Sequence, residues 1–542
     1  MKIALIQTNP VIGAFERNFR QVTAWIEKAK QAGCALAVFP ELTLCGYPPG
    51  DLLACPAFIA AHDRVLADLI EGVKGITCVV GVPERRQGLG KPLHNAAYVI
   101  ERGRVVWRAR KQLLSTYDVF DETRYFEPGS TAAVFPVQGL HYGLIVCEDS
   151  WWSSRMRHAN PFSELASGPV APDCLINIAA SPYYHGKVQA RQQAFGQACR
   201  QNNVPLLYVN QVGGQDSLIF DGHSMVMTPA GDLGATAAGF TEDMLIVDSG
   251  TWHETGSGGP LRDSIADVEA ALVLGVRDYL RKTGHGKAVL GLSGGIDSAV
   301  TAVIACKALG PENVLCVAMP SPYTSQQSVD DARRLAENLG CDFEIIEIAA
   351  AMDVYRKALM PLFAGLAEDA TEQNIQARIR GNLLMALANK CNRLLLSTGN
   401  KSEMSVGYCT LYGDMNGALA VIADVPKGMV YALARLMNRE REIIPERTIA
   451  RPPTAELKPN QFDQDDLPPY DVLDTILNAY LDEHKNIEEI AAGGVDIRLV
   501  RDVIRRFTLS EYKRRQAPPG IKVTSRASGP GRRYPLVHGF AE

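Results

Sequence analysis

The chain has 542 residues, which is too long for one ordinary domain and predicts two. Its 46% hydrophobic and 21% charged residues are typical of a globular protein, and its net charge of −5 gives no reason to expect a nucleic-acid or acidic-membrane partner. No apolar run is long enough to span a bilayer, residues 1–7 do not form a signal peptide, and the twelve cysteines contain no CxxC pair. These features predict a reducing, cytoplasmic environment and argue against disulfides and structural zinc.

Short apolar strands alternate with helical segments over the first 250 residues. Strands are predicted at 2–6, 35–39, 78–82, 96–100, 105–107, 144–146, 175–178 and 206–209, and helices at about 18–32 and 185–201. Alternation of this kind, with a hairpin turn at 101–104, predicts a layered α/β domain.

Three chemically active residues, Glu41, Lys111 and Cys147, lie just past predicted strand ends, where the active sites of α/β domains gather. Taken singly, each has an ordinary explanation: Glu41 as a cap or solvated carboxylate, Lys111 as a surface charge and Cys147 as a buried thiol. Taken together, they supply what a thiol nucleophile needs. A base removes its proton, and a fixed cation stabilises the oxyanion that its attack creates.

The motifs around these residues resemble those of the nitrilase, or carbon–nitrogen hydrolase, family. The similar segments are 39–42, 111–114 and 145–149, and the resemblance covers about residues 1–250. It implies an αββα sandwich that hydrolyses amides through a thioester. The implied roles are Cys147 as nucleophile, Glu41 as general base, Lys111 as stabiliser of the oxyanion and Glu122 as a supporting glutamate. Ser115 departs from the family, which often has proline there, so the local loop shape stays open.

Within this family, the first 250 residues are most similar to the glutaminase domains of glutamine-dependent NAD synthetases. The resemblance implies that glutamine contacts Tyr117, Ser181 and Lys187. From the residues alone, a tyrosine such as Tyr117 is more often a packed aromatic, and a serine such as Ser181 is more often a turn residue.

A Gly- and Ser-rich stretch at 250–262 is the predicted linker, which gives domains of 1–249 and 263–542. Beyond it, a helix at about 265–282 and a strand at 288–292 lead to Ser293-Gly294-Gly295 and a second helix from about Asp297. A strand, a glycine loop and a helix N-terminus together make an anion site, because free N–H groups and the helix dipole converge there. The carboxylate of Asp297 predicts a metal ion beside that anion. A plain glycine turn is the alternative, and the loop matches neither the common P-loop nor GxGxxG.

The remainder predicts a doubly wound, Rossmann-like parallel sheet whose ligand lies at the carboxyl ends of its strands. Further strands are predicted at 314–319, 343–346 and 394–396, with helices at about 328–339 and 371–390. Polar residues follow the strand 394–396, and among them Glu403 is the predicted partner of Asp297 on one Mg²⁺. Asp414 lies in the next polar loop. Turn chemistry or helix capping explains each of these singly.

The loop 293–298 resembles the pyrophosphate-binding loop of the ATP pyrophosphatases, which include NAD, GMP and asparagine synthetases and tRNA-thiolating enzymes. Segments 373–378, 397–403, 412–414 and 518–525 are similar to the NAD synthetases among them. Joined to a nitrilase-like domain, they make nearly the whole chain resemble the glutamine-dependent NAD synthetase family. The resemblance assigns ATP binding to Gly291, Leu292, Ser293, Gly294, Gly295, Ile296, Asp297, Ser298 and Thr398, deamido-NAD binding to Asn374, Glu403, Asp414 and Lys513, and Mg²⁺ to Asp297 and Glu403.

Two C-terminal stretches have unusual composition. Residues 451–469 are rich in proline and acid and form a long loop, either a lid or a disordered segment, and the resemblance favours a lid. Residues 512–540 contain no acidic residue and several Lys and Arg, which predicts either a solvated tail or contact with phosphate.

The family implies that glutamine releases ammonia in the first domain. The second domain adenylates the nicotinate carboxylate of deamido-NAD with ATP, and ammonia then displaces AMP to give NAD. Because ammonium has no lone pair, we expect ammonia to pass inside the protein, within one subunit or between subunits of a homo-oligomer. Two alternatives stay open: another acceptor, such as a tRNA base, or a binding protein built on two decayed enzyme folds. The intact Glu41, Lys111, Cys147, Asp297 and Glu403 argue against decay.

Overall fold

The computed structural model describes residues 1–130, 133–151, 160–254, 261–262, 264–527, 529 and 531–540. The chain forms two compact units, Met1–Asp263 and Ser264–Glu542. Of the predicted linker 250–262, residues 255–260 lie outside the described residues. Twelve cysteines are free thiols. Among the described helices, none is both long enough and apolar enough to cross a membrane.

Unit 1, Met1–Asp263, contains two six-stranded sheets and a short hairpin. Its strands are β1 (Lys2–Gln7), β2 (Cys34–Val38), β3 (Thr77–Arg85), β4 (Leu93–Glu101), β5 (Arg104–Arg110), β6 (Ala133–Val137), β7 (Leu140–Val146), β8 (Cys174–Ala179), β9 (Leu206–Asn210), β10 (Val212–Gln215), β11 (Leu218–Asp221), β12 (Met225–Met227), β13 (Leu233–Thr236) and β14 (Asp243–Asp248). Its helices are α1 (Phe15–Gln31), α2 (Pro56–Gly72), α3 (Pro161–Ala166) and α4 (Lys187–Asn202).

The two sheets have the orders β14-β1-β2-β3-β4-β5 and β13-β12-β9-β8-β7-β6. Strand alternation divides the core into layers. In β1, Ile3 and Leu5 pack in the core shared by both sheets, while Ala4 and Ile6 pack beneath α1 and α2. Helices α3 and α4 contribute apolar residues on the second sheet's side. The expected αββα sandwich is therefore confirmed.

Some elements of unit 1 differ from the sequence-based expectation. Helix α2 was not predicted, although Pro56 in its first turn is a helix-start signal. Strand β5 runs from Arg104 to Arg110, well beyond the predicted 105–107. Because β5 is the edge strand of its sheet, its charged residues face solvent without interrupting the ladder.

Unit 2, Ser264–Glu542, is built on a parallel sheet with the order β17-β16-β15-β18-β19. Its strands are β15 (Ala288–Gly291), β16 (Val314–Ala318), β17 (Asp342–Ile345), β18 (Leu394–Ser397) and β19 (Leu419–Ala420). Its helices are α5 (Ile265–Lys282), α6 (Ile296–Leu309), α7 (Gln326–Leu339), α8 (Ala349–Phe363), α9 (Ala370–Lys390), α10 (Lys401–Val406), α11 (Lys427–Met437), α12 (Glu446–Ala450), α13 (Tyr470–Leu481), α14 (Ile487–Ala491), α15 (Ile497–Leu509) and α16 (Glu511–Arg514).

This strand order confirms the predicted doubly wound sheet. The chain winds outward from β15 through β16 to β17, then returns to the other side of β15 with β18 and β19. The carboxyl ends of β15 and β18 therefore flank the topological switch point, where open α/β sheets bind their ligands. Helices α13, α14 and α15 form a separate apolar cluster that the sequence-based prediction did not include.

Candidate active sites

The turns after β2, β5 and β7 bring Glu41, Lys111 and Cys147 into one site in unit 1. Glu41 follows β2, Lys111 follows β5, and Cys147 opens a short 3-10 helix after β7. The exposed fractions are 0% for Glu41, 1% for Lys111 and 4% for Cys147. Charged groups are rarely buried to this extent without close partners, so the site depends on the contacts among these side chains.

Lys111 joins two carboxylates at the centre of this site. Its Nζ lies 2.9 Å from Glu41 Oε1 and 2.8 Å from Glu122 Oε2. Asn95 donates to Glu41 Oε1 at 2.6 Å, and the backbone N–H of Ala180 donates to Glu41 Oε2 at 2.9 Å. Both oxygens of Glu41 are thus held in place by protein donors, which fixes the direction in which this carboxylate faces.

The backbone of Cys147 adopts a left-handed conformation, with φ of +46°. Non-glycine residues rarely do so, and the strain is commonly found at functional positions. Asn177 on β8 holds the turn. It accepts from the N–H of Cys147 at 2.7 Å and donates to the carbonyl of Cys147 at 3.2 Å. The sharp turn lifts the thiol off the end of β7.

In the resting site, electrostatic interactions keep Cys147 as a thiol and Lys111 as an ammonium. Burial raises the pKa of Cys147 well above its usual value, and Glu41 adds to the rise while Lys111 opposes it. Burial alone would lower the pKa of Lys111, but the carboxylates of Glu122 and Glu41 outweigh it and hold that pKa well above its ordinary value. A thiolate therefore forms only when a base takes the proton, and Glu41 is a carboxylate that interacts electrostatically with Cys147.

Tyr117 and Lys187 lie beside Cys147 together with a carboxylate that was not predicted. The hydroxyl of Tyr117 donates to Glu148 at 2.9 Å. Lys187 Nζ lies 3.9 Å from the centroid of the Trp151 ring and interacts electrostatically with Glu148 and Cys147. Burial lowers the pKa of Lys187 to about 8. The site thus carries an ammonium and a carboxylate, the pattern that a zwitterion requires.

A buried chain of polar groups supports Ser181, the third predicted contact. The N–H of Ser181 donates to Asn210 Oδ1 at 2.8 Å, and Asn210 donates to Asp221 at 3.3 Å. Asp221 accepts two bonds from Arg191, at 3.0 and 3.1 Å, and both side chains are fully buried. Arg191 was not predicted. Its position four residues after Lys187 on α4 is the one sequence signal that points to the site.

In unit 2, the predicted anion loop lies between β15 and α6. Gly294 has φ of +80°, and a Cβ at this position would lie 2.3 Å from the carbonyl oxygen of Ser328, so only glycine fits. Ser298 Oγ accepts from the N–H of Ser293 at 3.2 Å and lies 3.1 Å from Ser293 Oγ. The loop therefore gathers backbone N–H groups and hydroxyls at the N-terminus of α6, where they bond to one another in this structure and where an anion site would have its donors.

Asp297 and Glu403 converge on one point, and the ammonium of Lys427 occupies it. Lys427 Nζ donates to Asp297 Oδ2 and lies 3.3 Å from Glu403 Oε1. Asn400 donates to Asp297 Oδ1 at 2.9 Å. Burial raises the pKa of Glu403 to about 8, with Lys427 opposing the rise. Lys427 was not predicted, because a lysine in the first turn of a helix is ordinarily solvated.

The paired carboxylates fit the predicted Mg²⁺ in donor type. Mg²⁺ prefers anionic oxygens and commonly takes one or two carboxylates, with substrate phosphates and water as its other ligands. Asp297 and Glu403 are such donors and already hold one cation between them. Within the described part of the chain, no group of three or more His, Cys, Asp or Glu side chains is arranged to hold a metal ion.

The predicted deamido-NAD contacts gather around the loop that ends at Asp414. Thr410 donates through its hydroxyl to Asn374 Oδ1 at 2.8 Å and through its N–H to Asp414 Oδ1 at 2.6 Å. Burial raises the pKa of Asp414. Lys513 donates to the carbonyl of Gly407 at 2.7 Å, so at this position the basic C-terminal stretch is bound to the protein surface rather than solvated.

A cavity of about 300 Å³ opens at the switch point. The predicted residues that line it are Gly291, Leu292, Ser293, Gly295, Ile296, Asp297, Ser298, Thr398, Glu403 and Asp414. Gly294, Asn374 and Lys513 are not among its lining residues. Arg380 and Lys427 contribute positive charge to a wall that also carries carboxylates, so the cavity offers partners to anionic and cationic groups alike.

The first residues of the Pro-rich segment 451–469 lie against the anion loop. Arg451 donates to the carbonyl of Gly294 at 2.9 Å and to Ser328 Oγ at 2.7 Å. Glu456 accepts from the hydroxyls of Ser325 and Ser328 at 2.9 and 2.8 Å. Arg451 and Glu456 also line the cavity, so this segment covers part of it.

Each unit matches a known family. The carbon–nitrogen hydrolase family model matches residues 2–250, and the NAD synthase family model matches residues 268–517. The chain is 46% identical to a glutamine-dependent NAD(+) synthetase from Synechocystis sp., with 99% of each chain covered. It is 43% identical to one from Acinetobacter baylyi, with 99% of this chain and 98% of the relative covered.

Solved structures agree over the same length. The glutamine-dependent NAD+ synthetase of Acinetobacter baumannii, in complex with ADP, is 42% identical and superposes with a TM-score of 0.79 over 99% of this chain and 98% of that one. The enzyme from Cytophaga hutchinsonii, at 21% identity, shares the fold with a TM-score of 0.84 over the same shares of the two chains. The chain belongs to the glutamine-dependent NAD(+) synthetase family.

Proposed function

We propose that this chain converts deamido-NAD, ATP, glutamine and water into NAD, AMP, pyrophosphate and glutamate, the last step of NAD biosynthesis. The observation that carries the proposal is that one chain combines a buried Cys–Glu–Lys site with an anion loop at a sheet switch point. Its similarity to glutamine-dependent NAD(+) synthetases over nearly the whole chain supports the same function. We assign glutamine hydrolysis to residues 1–249, amidation to residues 263–542 and the linker to 250–262.

Glutamine hydrolysis begins when Glu41 takes the proton of Cys147 and the thiolate attacks the side-chain carboxamide. The oxyanion forms beside the ammonium of Lys111, whose charge Glu41 and Glu122 preserve. Glu41 passes its proton to the leaving nitrogen, the C–N bond of the tetrahedral intermediate breaks, and ammonia departs to leave a thioester on Cys147. Glu41 then takes a proton from water, which attacks the thioester, releases glutamate and restores the thiol.

The charges around Cys147 orient free glutamine. Lys187 pairs with its α-carboxylate, and Glu148 with the hydroxyl of Tyr117 receives its α-ammonium. Ser181, held by Asn210, adds a hydroxyl contact. Since both charged ends of the substrate meet counter-charges, the site selects a free amino acid over an amide that lacks these groups.

Glutamine use is expected to fall at alkaline pH as Lys187 loses its proton. Burial lowers its pKa to about 8, so the ammonium is intact below that pH and lost above it. In pH profiles of glutamate release, kcat/KM should drop by about tenfold per unit above the break. Lys187→Arg keeps the charge at high pH, so its break should lie higher. Equal alkaline breaks in the two proteins would contradict this role for Lys187.

In the synthetase step, the nicotinate carboxylate of deamido-NAD attacks the α-phosphorus of ATP and pyrophosphate leaves. Ammonia then attacks the adenylated carbonyl and AMP leaves. The anion loop 293–298 holds the ATP phosphates, and Asn374, Asp414 and Lys513 hold deamido-NAD. Asp297 and Glu403 would hold Mg²⁺, which neutralises phosphate charge when bound. The segment 451–469 acts as the lid that excludes water from the adenylate, supported by the contacts of Arg451 with the loop.

A product assay with nitrogen-labelled ammonium tests this function and the ammonia route together. With ATP, Mg²⁺, deamido-NAD, unlabelled glutamine and labelled ammonium in modest excess, NAD, AMP, pyrophosphate and glutamate should form in equal amounts. An internal route predicts little label in the NAD, whereas label in proportion to the solvent pool would exclude such a route. Absence of AMP release when deamido-NAD is supplied would exclude the proposed acceptor.

We assign the enzyme to the cytoplasm as a homo-oligomer of this chain, with small molecules as its other partners. Free thiols, several of them exposed or half-buried, suit a reducing compartment. The surface of α8 supports self-association. None of its residues is buried, and Val354, Met360 and Leu362 are exposed apolar side chains. A monomeric mass in sedimentation equilibrium would contradict the assignment, and Leu362→Glu should shift an oligomer towards monomer.

A further inference from the structure

Three cysteines that lie far apart in the sequence meet in unit 2. Cys306 is near the end of α6, Cys316 lies within β16, and Cys341 stands between α7 and β17. The sulfur atoms of Cys341 and Cys316 are 3.7 Å apart. Cys341 is also in hydrogen-bond contact with Cys306. These residues have no place in the steps assigned above.

The sheet register brings two of these thiols together. Strands β16 and β17 are parallel, and Cys316 is paired with Phe343. Because side chains alternate along a strand, Cys341 shares a face with Phe343 and lies diagonally across from Cys316. The C-terminus of α7 fixes this position, since the N–H groups of Gly340 and Cys341 both donate to Ala336, at 2.9 and 3.2 Å.

The three thiols differ in access and acidity. Cys306 and Cys316 are buried, whereas Cys341 is half-buried. Hydrogen bonding to Cys306 and Cys316 lowers the pKa of Cys341, and the pKa values of those two neighbours are raised. An oxidant from solvent therefore meets Cys341 first, with a second thiol already in contact behind it. This is the arrangement of an attacking and a resolving cysteine.

The alternative of a metal site has no support in the described residues, where no group of three or more His, Cys, Asp or Glu side chains is arranged to hold a metal ion. A disulfide requires the two sulfurs to approach from 3.7 Å to about 2.05 Å. Cys341 lies at the junction of a helix and an edge strand, which has a neighbouring strand on one side only.

We propose that Cys341 and Cys316 form a reversible disulfide when the protein meets a hydroperoxide. The thiolate of Cys341 attacks the peroxide oxygen, giving a sulfenic acid and an alcohol, or water when the oxidant is hydrogen peroxide. The sulfur of Cys316 then attacks the sulfenic sulfur, and its proton leaves with the hydroxyl group as water. The two cysteines lose two electrons, which the peroxide gains, and a dithiol reductant restores both thiols.

The bond would join two elements that lead into the nucleotide cavity. Strand β16 continues into Val317 and Ala318, and α7 carries Ser328; all three residues line the cavity. Ser328 also forms hydrogen bonds with Arg451 and Glu456 of the segment 451–469. The disulfide would therefore join Cys341, just past the C-terminal end of α7, to the middle of β16, next to Val317, and would restrict the relative movement of the two elements.

The test treats the full-length reduced protein with hydrogen peroxide, blocks free thiols by alkylation and maps peptides without reduction. We expect a Cys341–Cys316 link, loss of these two alkylation sites and their return after dithiothreitol. Cys391→Ser, which removes an exposed cysteine elsewhere in the same unit, should keep the link, as should Cys306→Ser. Cys341→Ser should abolish it and leave Cys316 alkylatable.

Three results would overturn the proposal. One is a Cys316 that stays fully alkylatable after oxidation of Cys341 to a sulfinic acid. Another is a link of Cys341 to Cys306 in place of Cys316. The third is a disulfide of Cys316 that still forms on oxidation of the Cys341→Ser variant. Thermal unfolding of each reduced variant shows whether it is folded. If Cys341→Ser does not fold, Cys306→Ser still tests the proposal, because it should keep the Cys341–Cys316 link.

Discussion

In a Cys147→Ala variant, glutamine-driven NAD synthesis is expected to fall by about 10⁴-fold or more, while ammonium-driven synthesis stays near the wild-type rate. The nucleophile of the glutaminase step is lost, and neither Glu41 nor Lys111 can replace the thioester. The groups assigned to adenylation, including Asp297 and Glu403, belong to the other compact unit and are unchanged. NAD formation measured with each nitrogen source separates the two effects.

Cys55→Ala is the matched control, because Cys55 is an exposed thiol outside the site. It should leave both activities unchanged. Cys147→Ser keeps the size of the side chain and should behave like the alanine variant, which shows that the thiol rather than packing is responsible. A folded Cys147→Ala protein that loses ammonium-driven synthesis as well would contradict the division of labour between the units.

The three reactive groups of the glutaminase site were predictable because each follows an apolar strand and belongs to a local motif. The groups that hold them were not. Asn95 donates to Glu41 from 54 positions along the chain, and Arg191 pairs with Asp221 from 30 positions away. Such partners have no local signature, since the packing of distant strands and helices is what brings them together.

The nucleotide site shows the same limit. The anion loop was predictable from a strand, glycines and a helix start in one stretch, and the approach of Asp297 to Glu403 followed from both lying after parallel strands. Lys427 lies at the start of α11, 130 positions after Asp297. Its ammonium lies between the two carboxylates that were predicted to bind Mg²⁺. A lysine's burial between two carboxylates is a tertiary property that its neighbours in sequence do not encode.

For the fold, both α/β architectures followed from strand and helix alternation. The short strands β10 to β13 and the terminal helices α13 to α15 were missed, because short or irregularly spaced apolar residues give a weak periodic signal. The cysteines show a further limit. Their scatter in sequence argued against paired thiols, yet β16, α6 and the turn before β17 bring three of them together.

Lys427 makes the acidic pair at the switch point sensitive to any change of charge. It neutralises Asp297 and Glu403 in a buried site, and its own pKa is raised because these carboxylates outweigh the effect of burial. We expect this ammonium to turn towards the phosphates when ATP binds at the loop, which would leave the two carboxylates to Mg²⁺. The carboxylates and the ammonium therefore serve different partners, which predicts different kinetic signatures for their removal.

Asp297→Asn and Glu403→Gln are each expected to lower NAD synthesis by about 10²–10³-fold from either glutamine or ammonium, because a hard divalent cation prefers anionic oxygen ligands. Their activity should also require a higher Mg²⁺ concentration for half-saturation. Lys427→Met should impair synthesis from both sources through the KM for ATP, since methionine keeps the chain length but not the charge. Because the ammonium no longer competes for Asp297 and Glu403, half-saturation should need less Mg²⁺, the opposite of the carboxylate variants. Asp466→Asn, which removes an exposed carboxylate of the segment 451–469, is the control and should leave activity and Mg²⁺ dependence unchanged. Wild-type Mg²⁺ dependence in both Asp297→Asn and Glu403→Gln would exclude a metal ion shared by these two side chains.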